Sequence, residues 1–121
     1  MPDASPSLSE IRDEIREFAA ERDWEQFHSP KNLVMALAGE VGELLELFQW
    51  LTPEESLTLR GTDRLGAVAD ELADVQYYLI RLADVLDVDL MAAAKAKLQK
   101  NRDRYPVAKS RGSARKYSEL E

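Results

Sequence analysis

The 121-residue chain contains no cysteine and a single histidine. A disulfide frame and a thiolate metal site are therefore excluded. Glycine and proline number five each, which disfavours a loop-rich or low-complexity chain. No apolar run is long enough to span a bilayer. The start, Met1-Pro2-Asp3-Ala4-Ser5-Pro6, lacks the basic and apolar regions of a secretory signal. The expectation is a cytoplasmic protein with no membrane partner. The Gly-x-x-x-x-Gly-Lys-[Ser/Thr] loop is also missing, which sets P-loop chemistry aside. No strand pattern and no full-length repeat is present.

What is present favours helix. Alanine, leucine and glutamate dominate, 45% of residues are hydrophobic and 32% charged, as expected of a single globular domain. The net charge of -7 is unevenly spread. Residues 1–94 carry 7 basic and 20 acidic side chains. Residues 95–116 hold Lys95, Lys97, Lys100, Arg102, Arg104, Lys109, Arg111, Arg115 and Lys116 against Asp103 alone. An acidic body with one basic segment argues against duplex nucleic acid, which needs a broad basic face. It suits a small polyanion held between a metal and a few cations, or equally a solvated basic helix end.

Four long helices are expected, with a short one between the second and third. Ser7-Leu8-Ser9-Glu10 reads as a capping box before a helix over about 8–22. Ser29-Pro30 opens a second helix to about Leu51. Thr52-Pro53-Glu54-Glu55 is another capping box, starting a short turn that Gly61 ends. The third long helix covers about 63–86. The fourth is capped by Asp89, runs to about Tyr105 and is closed by Pro106. The architecture predicted is an all-α domain over residues 1–106, a four-helix bundle completed by oligomerisation. Residues 107–121 form an extended basic tail.

Two of these helices carry carboxylates on their apolar faces. At roughly 100° per residue, Leu33, Leu47 and Leu51 fall within about 20° of Glu40, and Leu37 and Leu44 within about 60°. Glu43 sits at the edge of that arc, with Trp50 seven residues on, and Glu46 faces away. On the third long helix, Tyr78 and Leu82 fall within about 20° of Glu71 and Val68, Val75 and Leu86 within about 60°, with Asp74 at the edge. One such glutamate can pair with an arginine or sit at a wet interface. Two matching acid-x-x-acid pairs make coincidence a poor account. If the faces meet, four carboxylates converge and need cations. With no thiol and only His28 as imidazole, the donors are all oxygen, which selects magnesium or manganese over zinc or copper. Magnesium commonly keeps positions for water and phosphate, so a phosphate-bearing substrate follows.

Glu40-Val41-Gly42-Glu43 followed by Glu71-Leu72-Ala73-Asp74 resembles the signature of the all-α, MazG-type nucleotide pyrophosphohydrolases. Phe18 to His28, Leu44 to Trp50, Asn101-Arg102-Asp103-Arg104-Tyr105-Pro106 and Ser113 to Tyr117 are similar to the dCTP pyrophosphatase branch of that family. The resemblance implies a magnesium-dependent enzyme that cleaves dCTP to dCMP and pyrophosphate, assembled as a homodimer or homotetramer. It makes Glu40, Glu43, Glu71 and Asp74 the metal ligands and catalytic acids. Trp24, Glu25, Gln26, Phe27 and His28, with Trp50 and Tyr78, would line the nucleoside pocket. Lys97, Asn101 and Arg104, at i, i+4 and i+7, would hold phosphates. Ile15 departs from the pattern, standing where a pocket histidine is expected.

Blander accounts exist for each group: core packing for the aromatics, a hydrogen-bonded loop residue for His28, a solvated face for the cations. At the level of function, the alternatives are the same chemistry on dUTP, modified or a broader set of nucleotides, and a non-enzymatic helical module with interfacial acids.

Overall fold

Three of the four long helices begin where a side-chain oxygen takes up a free amide of the first turn. Ser7 accepts from Glu10 N while Glu10 accepts from Ser7 N, opening α1 (Leu8–Glu21). Ser29 caps α2 (Pro30–Glu46), with proline at its first position. A reciprocal box between Thr52 and Glu55 opens the short α3 (Pro53–Leu57). The longest helix, α4 (Arg64–Val85), follows Asp63 without a side-chain cap. Asp89 caps α5 (Leu90–Arg104). This computed structural model describes residues 5–120; Met1 to Ala4, part of the N-terminal start read above, and Glu121 lie outside the described residues. Among the described residues there is no strand, and no helix is long and apolar enough to cross a membrane.

Three local features differ from the periodicity. Helix α2 stops at Glu46, not near Leu51, and continues as a tightened turn in which Leu47, Phe48 and Leu51 donate to carbonyls three residues back. The chain reaches an extended Thr52, which caps α3 and precedes Pro53, through this tightened turn. Trp50 therefore leaves the face of Glu43 and is 87% exposed. Second, α3 ends at Leu57, and Gly61 serves instead in the turn beyond it, at φ 81°. Third, the tail expected to be extended carries two short helical pieces, α6 (Val107–Ser110) and a 3-10 turn at Tyr117–Glu119. Pro106 closes α5 and, at extended ψ, opens α6.

The chain divides into two units, one ending at Asp87 and the other beginning at Val88. In the first, α4 is the central element: α2 packs along it and α1 against it. Its apolar centre is small, comprising Ala19, Leu33, Leu59, Val68, Ile80 and Ala83. In the second unit, the ring of Tyr117 meets Tyr105 edge to face at 6.1 Å and lies 4.8 Å from the Arg104 guanidinium, folding the end of the chain back onto α5.

Leu33, 1% exposed, is the largest fully buried side chain among the described residues. Leu33→Ala should lower stability by about 2–5 kcal/mol, since cavity formation adds to the lost burial. Urea unfolding of the two proteins measures it; a loss below about 1 kcal/mol would mean that the α2–α4 seam is not the core.

Candidate active site

The packing of α2 along α4 turns two sequence-separated acid pairs into one cluster. Carboxylate oxygens of Glu40, Glu43 and Glu71 lie within 4.8 Å of one another. Asp74 stands outside that trio but close enough for its charge to raise the pKa of both Glu40 and Glu71. Glu43 and Asp74 are exposed, whereas Glu40 and Glu71 are half-buried. The deeper oxygens, Glu40 Oε2 and Glu71 Oε2, are buried without any hydrogen-bond partner. Buried carboxylate oxygens are costly unless a proton donor or a cation satisfies them.

The electrostatics agree with that geometry. Burial, followed by the carboxylates of Glu43, Asp74 and Glu71, pushes the Glu40 carboxyl up to about 7 from its ordinary 4.5. Glu71 is also raised, chiefly by burial and then by Glu43. A divalent ion held by oxygen donors would remove the repulsion and occupy the orphaned lone pairs, so the donor set fits a hard cation.

A pocket of about 400 Å³ is lined by Trp24, Phe27, His28, Asn32, Leu33, Ala36 and Tyr78. It adjoins the acids through α2, where Asn32, Ala36 and Glu40 follow at successive i+4 positions, and through Tyr78. The phenol of Tyr78 is raised by burial and then by the charges of Glu40, Asp74 and Glu43. Local folding at the end of α1 builds the opposite wall. Asp23, at φ 54°, takes the left-handed position of a Schellman motif: Trp24 N donates to Ala19 O and Asp23 N to Ala20 O. The reversal lays Trp24 edge-on against Phe18 at 5.5 Å, the contact that commonly closes this motif. Phe18 in turn meets Tyr77 at 6.3 Å, and Tyr77 meets Tyr78 at 5.0 Å. Edge-to-face pairs of this kind are worth about 0.5–1.5 kcal/mol each, so one aromatic chain braces both pocket walls.

The pocket thus gathers Trp24, Phe27, His28 and Tyr78 from the sequence reading and leaves out three others. Glu25 and Gln26 occupy the 3-10 turn without lining it, and Gln26 bonds back to Asp23. Trp50 is carried away by the early end of α2. Lys97, Asn101 and Arg104 lie on α5 in the second unit, where Arg104 rests over Tyr117. Asn32, Ala36 and Tyr77 were not singled out from sequence. The first two share the helical face of Glu40, so the wheel that exposed the acid contained them. Behind His28 is a second unforeseen group: the Nε of Arg81, a residue only 7% exposed, donates to His28 Nδ1 at 3.0 Å. Arg81 also bonds Asp84 at 3.4 Å, and Asp84 accepts two bonds from Arg16 at 2.9 and 2.6 Å.

Residues 36–120 match the MazG-like family. The chain belongs to that family. Among curated relatives, dCTP pyrophosphatase 1 of Bos taurus is 52% identical over 118 residues, covering 97% of this chain and 70% of that protein. The Homo sapiens dCTP pyrophosphatase 1 is 53% identical over 116 residues, covering 95% and 68%. Among solved structures, a pyrophosphatase from Archaeoglobus fulgidus superposes with a TM-score of 0.78 at 38% identity, covering 88% of this chain and 98% of its own. The MazG-like match spans both acid pairs, while the Trp24 wall precedes it and is covered by the full-length relatives.

The cluster has a measurable cost in the metal-free protein. Glu40 binds a proton more tightly folded than unfolded, so its contribution to stability is fully present below about pH 4.5 and is lost as pH rises towards 7. His28, whose pKa is lowered, acts in the opposite sense below its ordinary 6.5, so the control is Glu40→Gln, which keeps that histidine. In chelator, the melting temperature of the parent relative to Glu40→Gln should fall between about pH 5 and pH 8. Glu71→Ala should leave the metal-free protein as stable as the parent or more so. A flat difference curve, or a clearly destabilised Glu71→Ala, would mean the acids are structural partners.

Proposed function

We propose that this MazG-like protein is a metal-dependent nucleoside triphosphate pyrophosphohydrolase that converts dCTP and water to dCMP and pyrophosphate. One observation carries the reading: two buried, partnerless carboxylate oxygens in a three-glutamate cluster, beside an aromatic pocket wide enough for a nucleobase. The choice of dCTP is supported by the curated relatives, which are named for that substrate and share about half their residues with this chain.

Glu40, Glu43 and Glu71, with Asp74 beside them, would hold magnesium or manganese. Bound there, a divalent ion neutralises charge on the polyphosphate and lowers the pKa of an attacking water. The chain's own groups supply the rest. One of the four acids receives the proton of the water that attacks the phosphoanhydride, and pyrophosphate leaves. Trp24, Phe27 and Tyr78 stack on or enclose the base, which every nucleobase face permits. His28 and Asn32 supply polar contacts to its edge.

Glu40→Gln and Glu71→Gln should each reduce turnover by about a thousandfold, because loss of a ligand removes both charge neutralisation and water activation. Glu46→Gln, on the outer face at the end of α2, should stay within about twofold of the parent and change stability by less than about 0.5 kcal/mol. Magnesium should raise the melting temperature of the parent by ligand linkage. A panel of nucleotides with released pyrophosphate measured tests substrate and product together. dCTP should lead the common nucleotides; dUTP or a modified nucleotide in first place would move the protein to a sibling activity. Full activity in chelator, or inorganic phosphate as the direct product, would end the reading.

We also assign a symmetric dimer or tetramer. Leu65, Leu72, Leu79 and Leu86 recur at every seventh residue of α4 and its cap, and all are at least two-fifths exposed in the single chain, as are Met35 and Leu45 on α2. A soluble monomer rarely leaves so much contiguous apolar side chain bare. Light scattering at micromolar concentration should give two or four chains; a monomer would refute it.

A further inference from the structure

Among the residues lining the pocket, His28 and Asn32 are the two whose hydrogen-bonding polarity depends on a choice of tautomer or amide orientation. In both cases a contact behind the pocket makes that choice. Arg81 Nε donates to His28 Nδ1 at 3.0 Å. A guanidinium has no acceptor, so Nδ1 must be the bare nitrogen and the neutral ring carries its proton on Nε2. Burial and the neighbouring Arg81 charge lower the His28 pKa, against a smaller opposing effect of Glu25, and so favour that neutral ring. On the other side, Asn32 Nδ2 donates to the Phe27 carbonyl at 3.1 Å, which turns the amide nitrogen away and leaves Oδ1 as the acceptor. Arg81 cannot easily swing aside. It is buried, and its far end is tied to Asp84, which Arg16 of α1 grips through two nitrogens.

We propose that Arg81 is a positioning residue for base selection: it locks His28 as the Nε2–H tautomer, so that the pocket meets a pyrimidine with a fixed donor at His28 and a fixed acceptor at Asn32. This rests on the pocket being the base site. The consequence is a discrimination that shape cannot supply. Cytosine presents an acceptor at N3 beside a donor at N4, and uracil presents the reverse, a donor at N3 beside an acceptor at O4. A pocket whose imidazole and amide could both invert would accept either base. A locked pair accepts one order and leaves the other with opposed donors and acceptors, the kind of mismatch that polar sites reject strongly. Nothing in this assignment requires Arg81 to touch the substrate.

The test has two arms. With a single histidine in the chain, the untagged protein gives one imidazole in long-range proton–nitrogen spectra. Those spectra should show a protonated Nε2, a bare Nδ1 and a nitrogen–nitrogen coupling from Nδ1 to the Arg81 Nε. A proton on Nδ1, or an average of the two tautomers, overturns the lock whether or not any variant folds. In the second arm, Arg81→Met should lower the preference for dCTP over dUTP in kcat/KM by about tenfold or more, mostly through KM, with kcat on dCTP within about threefold. Arg81→Lys, whose ammonium also only donates, should restore most of the preference. An active parent whose Arg81→Met variant keeps both tautomer and preference sinks this inference alone. A parent that hydrolyses no nucleotide sinks the pyrophosphohydrolase reading instead.

Discussion

The structure turns on the repulsion built into the seam between α2 and α4. Leu33 of α2 and Val68 and Ile80 of α4 are buried in the core, and the same two helices carry Glu40 and Glu71, whose inner oxygens end up buried without partners. Packing and charge thus pull against each other along one interface. The packing of α2 runs along α4, while the repulsion is concentrated at Glu40, Glu43 and Glu71, with Asp74 beside them. An attraction spread along the helices can hold a local repulsion in place. The smallness of the core sharpens the balance, since few buried side chains stand behind it.

This is also why the acid cluster was legible in the residues. Capping boxes are local chemistry, and those at Ser7 and Thr52 formed where the spacing put them. A carboxylate on an apolar arc is a conflict between residue type and position, and a helical wheel detects such conflicts without knowing the partner helix. Helical periodicity does not carry to Trp50, because the backbone leaves α-helical geometry after Glu46 and tightens into turns. It could not reach the Arg81–His28 bond, which joins residues 53 positions apart. Nor could it find the left-handed Asp23, where glycine or asparagine would have been the recognisable signal.

The pocket depends on irregular backbone and the acids on regular backbone, and the division has a physical sense. Acids that converge on one point keep fixed separations when their helices pack along their length. The Schellman reversal after α1 and the 3-10 turn that follows deliver Trp24 and Phe27 from outside the bundle, while Tyr78 rises from within it. The Phe18–Tyr77–Tyr78 chain of rings then ties the irregular wall to the regular one.

Helix α4 joins these parts because it presents two adjacent stripes. Glu71, Asp74 and Tyr78 form one, meeting the acids and the pocket. Tyr77, Arg81 and Asp84 form the other, roughly a quarter turn around the axis, and this second stripe takes the contacts from α1: Phe18 on Tyr77 and Arg16 on Asp84. A residue of the second stripe can therefore alter how the pocket is held without displacing a carboxylate of the first. On the proposed reading, chemistry and selectivity are separable on one helix for that reason. Under the proposed function, the acid-x-x-acid stripe answers to the charge of the polyphosphate, which every triphosphate shares, and the neighbouring stripe answers to the base, which differs.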